Sequence, residues 1–81
     1  MSERETVREF ITHVLSEIGD TDGFADDESL VTSGRLSSLD VVNTLVFLEG
    51  RFGFNMDPAD FDPSKFDTVD SIVSLLETVK K

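Results

Sequence analysis

The chain has 81 residues, a length for one domain (residues 1–81) near the lower limit at which a core is buried unaided. It carries 17 acidic residues against 7 lysines and arginines, a formal net charge of −10, so nucleic acid and anionic membrane surfaces would be repelled and a basic patch on a partner protein is the better match. It has no cysteine, which excludes disulfides, thiolate metal sites and a cysteine nucleophile.

The first ten residues, MSERETVREF, are charged from the third onward and are no secretory signal. The longest unbroken apolar run, Leu45 to Leu48, is far too short for membrane insertion. A soluble, cytoplasmic protein is expected. In the first segment Val7, Phe10, Ile11, Val14, Leu15 and Ile18 recur at the spacing of one buried helical face, which predicts helix 1 over about 3–18. Ser2 and Glu5 have the spacing of a capping box, and Gly19 stands where a left-handed residue ends a helix.

GDTDGFADDESLVTSGRL follows, rich in Gly, Asp, Ser and Thr and without a sustained period. A loop this long needs anchors, and Phe24, Leu30, Val31 and Leu36 are available. A second helix starts at Ser37 or Ser38 with an apolar face of Leu39, Val42, Leu45, Val46, Leu48 and Phe52, and ends at Gly53. Asp57-Pro58 suits an N-cap and first-turn proline, predicting a short helix near 58–62. A last helix begins near Asp67-Thr68, buries Val69, Ile72, Val73, Leu76 and Val79, and carries Lys80 and Lys81 at its negative end. No segment alternates with period two. The expected fold is all-α: a small four-helix bundle of three main helices, a short third helix and a long first loop.

Three groups of residues invite a chemical reading. His13 lies between Phe10 and Val14 with no nucleophile placed beside it, which describes a surface histidine rather than a catalyst. Aligning Gly23 with the glycine of a calcium loop puts Asp20, Asp22 and Asp26 at ligand positions. It also puts Ile18 and Ser29 at the two ends, where ligands are required, so only weak, non-specific divalent binding is expected. The pair Ser37-Ser38 stands just before an apolar run. One serine is explained as a helix cap; two leave a hydroxyl to spare, at a helix end that favours a phosphate. By themselves these residues leave a plain cap and a modified serine both open.

The wider stretch SGRLSSLDVVNTLVFLEGRFGF resembles the core of the acyl carrier protein family. There a glycine precedes by four residues a serine that is followed by Leu or Met at the head of the second helix; here these are Gly34, Ser38 and Leu39. Asp40 matches the acid common after Ser-Leu in fatty-acid carriers, and Phe52-Gly53 the family's helix end. Ser37 departs from the usual aspartate. The resemblance covers nearly the whole chain. It implies a monomeric carrier, not an enzyme, with phosphopantetheine derived from coenzyme A attached to Ser38. It further implies a phosphopantetheinyl transferase, a cargo-loading ligase or synthetase, and downstream acyl- or aminoacyl-transferring enzymes as partners. No catalytic or metal site is expected in the chain itself.

DFDPSKFDT, residues 60–68, is similar to a pattern in stand-alone D-alanyl and related aminoacyl carriers, as SGRLSS is to their TGLLDS. Asn43 and Gly50 stand where fatty-acid carriers usually have glutamate. The expectation is a specialised stand-alone carrier of aminoacyl or short acyl groups. The alternatives are a housekeeping carrier of fatty acid biosynthesis and an unmodified acidic interaction module. Docking of partners is expected at Leu39, Asp40, Asn43, Val46 and Glu49, the exposed residues on successive turns below Ser38.

Overall fold

The computed structural model describes residues 2–79. It holds three α-helices: α1 (Glu3–Glu17), α2 (Ser38–Phe52) and α3 (Val69–Val79). Two single-turn 3-10 segments, Pro58–Asp60 and Pro63–Phe66, lie between α2 and α3, and there is no strand among the described residues. α1 packs chiefly on α3 and also meets α2, while the second 3-10 turn packs on both α2 and α3. No helix among the described residues is long and apolar enough to cross a membrane.

The helices stop and start where their end groups are satisfied. Ser2 Oγ accepts from the Glu5 N–H at 3.1 Å and so caps α1. Gly19 (φ 82°) and Gly53 (φ 74°) take the left-handed conformation that ends α1 and α2. Thr68 and Ser71 form a reciprocal cap for α3: Thr68 Oγ1 accepts from the Ser71 N–H at 2.9 Å, and Ser71 Oγ from the Thr68 N–H at 3.1 Å.

One core joins Val7, Ile11 and Leu15 of α1, Val41 and Leu48 of α2, Phe66, and Val69, Ile72, Val73, Leu75 and Leu76 of α3. Leu30 and Leu36 from the long loop are buried in it, with Phe24 and Val31 packed against its edge. Each fully buried leucine contributes about 1.5–3 kcal/mol of apolar transfer, which is what keeps residues 18–37 on the bundle. Asp67 adds a polar seal: its carboxylate accepts from the Val31 and Thr32 N–H groups at 2.9 Å and from the Ser29 hydroxyl at 2.8 Å, and its carbonyl accepts from the Leu30 N–H at 2.7 Å.

Three expectations change. Ile18 is the C-terminal cap of α1 and is 60% exposed, because the left-handed turn at Gly19 carries the chain away from the core. The buried face of α2 is Val41, Thr44 and Leu48; Leu39, Val42 and Val46 face outward. The short helix near 58–62 is instead a pair of 3-10 turns. Pro63 has no N–H to continue a helix, and it forces the preceding Asp62 into an extended conformation (φ −136°, ψ 109°). Each turn begins with an aspartate cap, Asp57 or Asp62, and a proline. The role given to Lys80 and Lys81 lies outside the described residues.

Candidate functional site at the head of helix α2

The site is built by its lead-in. Gly34 (φ 87°) turns the chain in a conformation that favours glycine, and its N–H donates to the Val31 carbonyl at 3.0 Å. Leu36 is buried and its N–H donates to the Leu30 carbonyl at 2.9 Å, which fixes where the helix begins.

The two serines then divide the work. Ser37 is the cap: its Oγ accepts from the Asp40 N–H at 3.2 Å, while the Asp40 carboxylate accepts from the Ser37 N–H at 3.0 Å. This is a complete capping box. Ser38 is the first helical residue. It is exposed, and among the described residues its hydroxyl makes no hydrogen bond. A free hydroxyl at the positive end of a helix is well placed to bear a phosphate, since the first backbone N–H groups point toward it.

Of the five residues expected to meet partners, Leu39 (68% exposed) and Val46 (59%) stand outward with the exposed Asn43 between them. Val42, 43% exposed, extends this strip, although its apolar character and spacing fit the core face equally well. Asp40 and Glu49 are half-buried and serve the fold. Asp40 closes the capping box, and the Glu49 carboxylate accepts from the Met56 N–H at 2.7 Å. The helical spacing 38, 42, 45, 49 sets Ser38 on the side of α2 that borders an apolar groove of about 320 Å³ lined by Val42, Leu45, Glu49, Met56, Pro58 and Phe61.

His13 is exposed and pairs with Glu17 at 2.7 Å. Two of the three acids of the calcium-like stretch are engaged by arginines. Arg35 holds Asp20, and Arg4 and Arg8 hold Asp26. These donors keep the Asp20 and Asp26 carboxyls below the usual carboxylate range, against the opposing effect of desolvation.

No family model matches this chain. It is 29% identical over 76 residues to the D-alanyl carrier protein of Enterococcus faecalis, a match that spans 91% of this chain and 97% of that protein. Its structure matches the solution structure of a holo acyl carrier protein from Nitrosomonas europaea with a TM-score of 0.73 and 26% sequence identity, covering 96% of this chain and 95% of that one. Both likenesses run nearly end to end. Over nearly its whole length the chain is thus similar to a D-alanyl carrier protein in sequence and to an acyl carrier protein in structure.

Proposed function

We propose that this protein carries an aminoacyl or short acyl group as a thioester on a phosphopantetheine arm attached to Ser38, and that it works as a specialised stand-alone carrier in the cytoplasm. The observation that carries the assignment is the division between the serines. Ser37 Oγ is committed to the capping box, whereas Ser38 Oγ is exposed and free. The arm would supply the thiol that a chain without cysteine lacks.

Attachment needs only what Ser38 offers. Its oxygen forms a bond to the phosphorus nearer the pantetheine of coenzyme A as the pyrophosphate bond breaks. Adenosine 3′,5′-bisphosphate leaves, and the serine proton passes to a base of the transferase. The resulting phosphodiester is anionic and sits at the helix N-terminus, where the Leu39 and neighbouring N–H groups and the helix dipole favour it. The chain then contributes position: α2 offers partners Leu39, Val42, Asn43 and Val46, and a flexible arm raises the effective concentration of its cargo at the docked enzyme. The groove beside Ser38 is lined mainly by apolar side chains, which suits a short apolar cargo resting near the arm.

The name of the Enterococcus faecalis relative and the residue pattern of 60–68 support aminoacyl or short acyl cargo over long fatty acids. Partners on this reading are a phosphopantetheinyl transferase, a loading ligase or synthetase, and the enzymes that take the cargo. The test is mass spectrometry of the purified protein after incubation with coenzyme A and a broad-specificity transferase. A gain of one phosphopantetheine group is expected, and Ser38→Ala removes it. No gain in the folded wild-type protein leaves an unmodified acidic interaction module.

A further inference from the structure

Arg35 precedes Ser38 by three residues, yet only 18% of its side chain is exposed. Its guanidinium turns back into the loop. Nε and Nη2 donate to the two oxygens of Asp20 at 3.0 and 2.9 Å. Nη1 donates to the Glu28 carboxylate at 2.7 Å and to the Gly23 carbonyl at 3.1 Å, and Nη2 also donates to the Asp22 carbonyl. Oxygens from four residues thus converge on one planar cation. Carboxylates and carbonyls gathered this way are the ligands a hard divalent ion takes. Here the cation is part of the chain, and the rigid fork of arginine matches several acceptors at once.

The other end of Arg35 is equally constrained. It lies between Gly34, turned by its positive φ, and Leu36, buried and bonded to Leu30. The remaining ties of the loop, some of them within 20–28 itself, run to α1, α3 and Asp67 rather than to the lead-in of α2. Arg4 and Arg8 hold Asp26, and Asp67 holds residues 29–32. The Arg35 guanidinium therefore links residues 20–28 to the segment that delivers Ser37 and Ser38.

We propose that Arg35 is a positioning residue for the modification of Ser38: its guanidinium is a built-in cation that locks the 20–28 loop to the lead-in of α2, so that the serine is presented in one conformation. The proposal rests on Ser38 as the attachment site. Without the guanidinium, Asp20 and Glu28 face each other with no counter-charge between them, and residues 20–37 loosen. The transferase then binds only the competent fraction, which raises its apparent KM for the carrier in inverse proportion to that fraction and leaves the bound reaction unchanged.

The experiment compares full-length wild-type, Arg35→Gln and Arg35→Lys proteins with coenzyme A and a broad-specificity transferase, and follows amide hydrogen exchange in parallel. If one Arg35→Gln chain in ten is competent, KM rises about tenfold with kcat within about twofold of wild type. Arg35→Lys, which keeps the charge and loses the fork, falls between them. Exchange quickens over residues 20–37 and is unchanged in α3. An unchanged KM in both variants overturns the proposal, as does exchange that quickens equally in α3, because Arg35 would then serve overall stability alone. If Arg35→Gln does not fold, Arg35→Lys carries the same comparison. Absence of modification in the wild-type protein sinks the Ser38 assignment instead, so the two failures are distinguishable.

Discussion

Replacing each serine of the pair by alanine should separate stability from modification. Ser37→Ala removes the acceptor of the Asp40 N–H, a bond of 3.2 Å, and leaves the Asp40 carboxylate on the Ser37 N–H as the surviving half of the box. Loss of such a cap costs about 1 kcal/mol, within a range of 0.5–2. For a domain of this length about 1 kcal/mol corresponds to a fall in Tm of about 4–8 °C. Ser38→Ala removes no hydrogen bond among the described residues, and alanine is the better helix former, so its effect should stay below about 0.5 kcal/mol.

Modification should respond the other way. Thermal melts followed by circular dichroism at 222 nm, beside mass spectrometry after treatment with coenzyme A and transferase, read both properties. Ser37→Ala should melt earlier and still gain one phosphopantetheine. Ser38→Ala should melt with the wild type and gain nothing. If Ser37→Ala loses the mass gain while Ser38→Ala keeps it, the register from Gly34 is wrong. If both melt alike, the capping box carries no weight at this helix end.

Three further outcomes follow from the charge and the exposed strip. Val46→Asp should slow loading of the modified protein by its own cargo-loading enzyme more than Asp40→Asn does, with rates measured where circular dichroism shows both folded; the reverse order would mark docking as electrostatic. The Thr32 N–H foremost, with the Ser29 hydroxyl and the Val31 N–H, holds the Asp67 carboxyl below its ordinary value of 3.8. The folded value is depressed, so the stabilisation is complete above about pH 4 and is lost as pH falls through the lowered value; amide resonances of Val31 and Thr32 that move between pH 7 and 5 would contradict this. Raising sodium chloride from 0.02 to about 0.3 M should raise Tm, because salt screens the self-repulsion of a chain with a net charge of −10; an unchanged Tm would show that the repulsion is already relieved within the fold.

Much of the fold is legible in the order of residues because its signals are local. The 3.6-residue period of α1, the caps Ser2 and Ser37 and the glycines 19 and 53 each act within a turn of their own position. Leu30 and Leu36 stand out as apolar residues in a polar stretch, and both are buried. The inner face of α2 is not legible because the helix is apolar nearly all round. With Leu39, Val41, Val42, Leu45, Val46, Phe47 and Leu48 in one helix, periodicity alone does not choose the inner face, and the contacts with α1 and Phe66 do. The 3-10 turns differ from the expected short helix because the second Asp-Pro step, Asp62-Pro63, breaks the helix that the first would start. The hub at Asp67 and the clamp at Arg35 join residues far apart in sequence, 36 residues in the case of Asp67 and Val31, and no local pattern announces them.

The distribution of charge gives α2 its character. Arg4, Arg8 and Arg35 are spent inside the molecule on Asp20, Asp26, Glu28 and Asp70. The two acids on α2 that could have faced a partner, Asp40 and Glu49, are drawn into backbone hydrogen bonds. Apart from Ser38 and from Arg51, which lies beside Glu9 and Phe10 of α1, what remains outward along that helix is Leu39, Val42, Asn43, Val46 and Gly50, a strip without formal charge on a strongly anionic protein. Long-range attraction and close contact are thereby separated. The net charge of −10 raises the encounter rate with a basic partner and weakens with salt, whereas residence depends on apolar side chains that leave water at the contact. On the proposed reading this suits a carrier that must find its enzyme quickly and be recognised by the shape of a few residues beside Ser38. It also explains why Val46→Asp, which puts a like charge into the neutral strip, should act mainly on dissociation rather than on encounter.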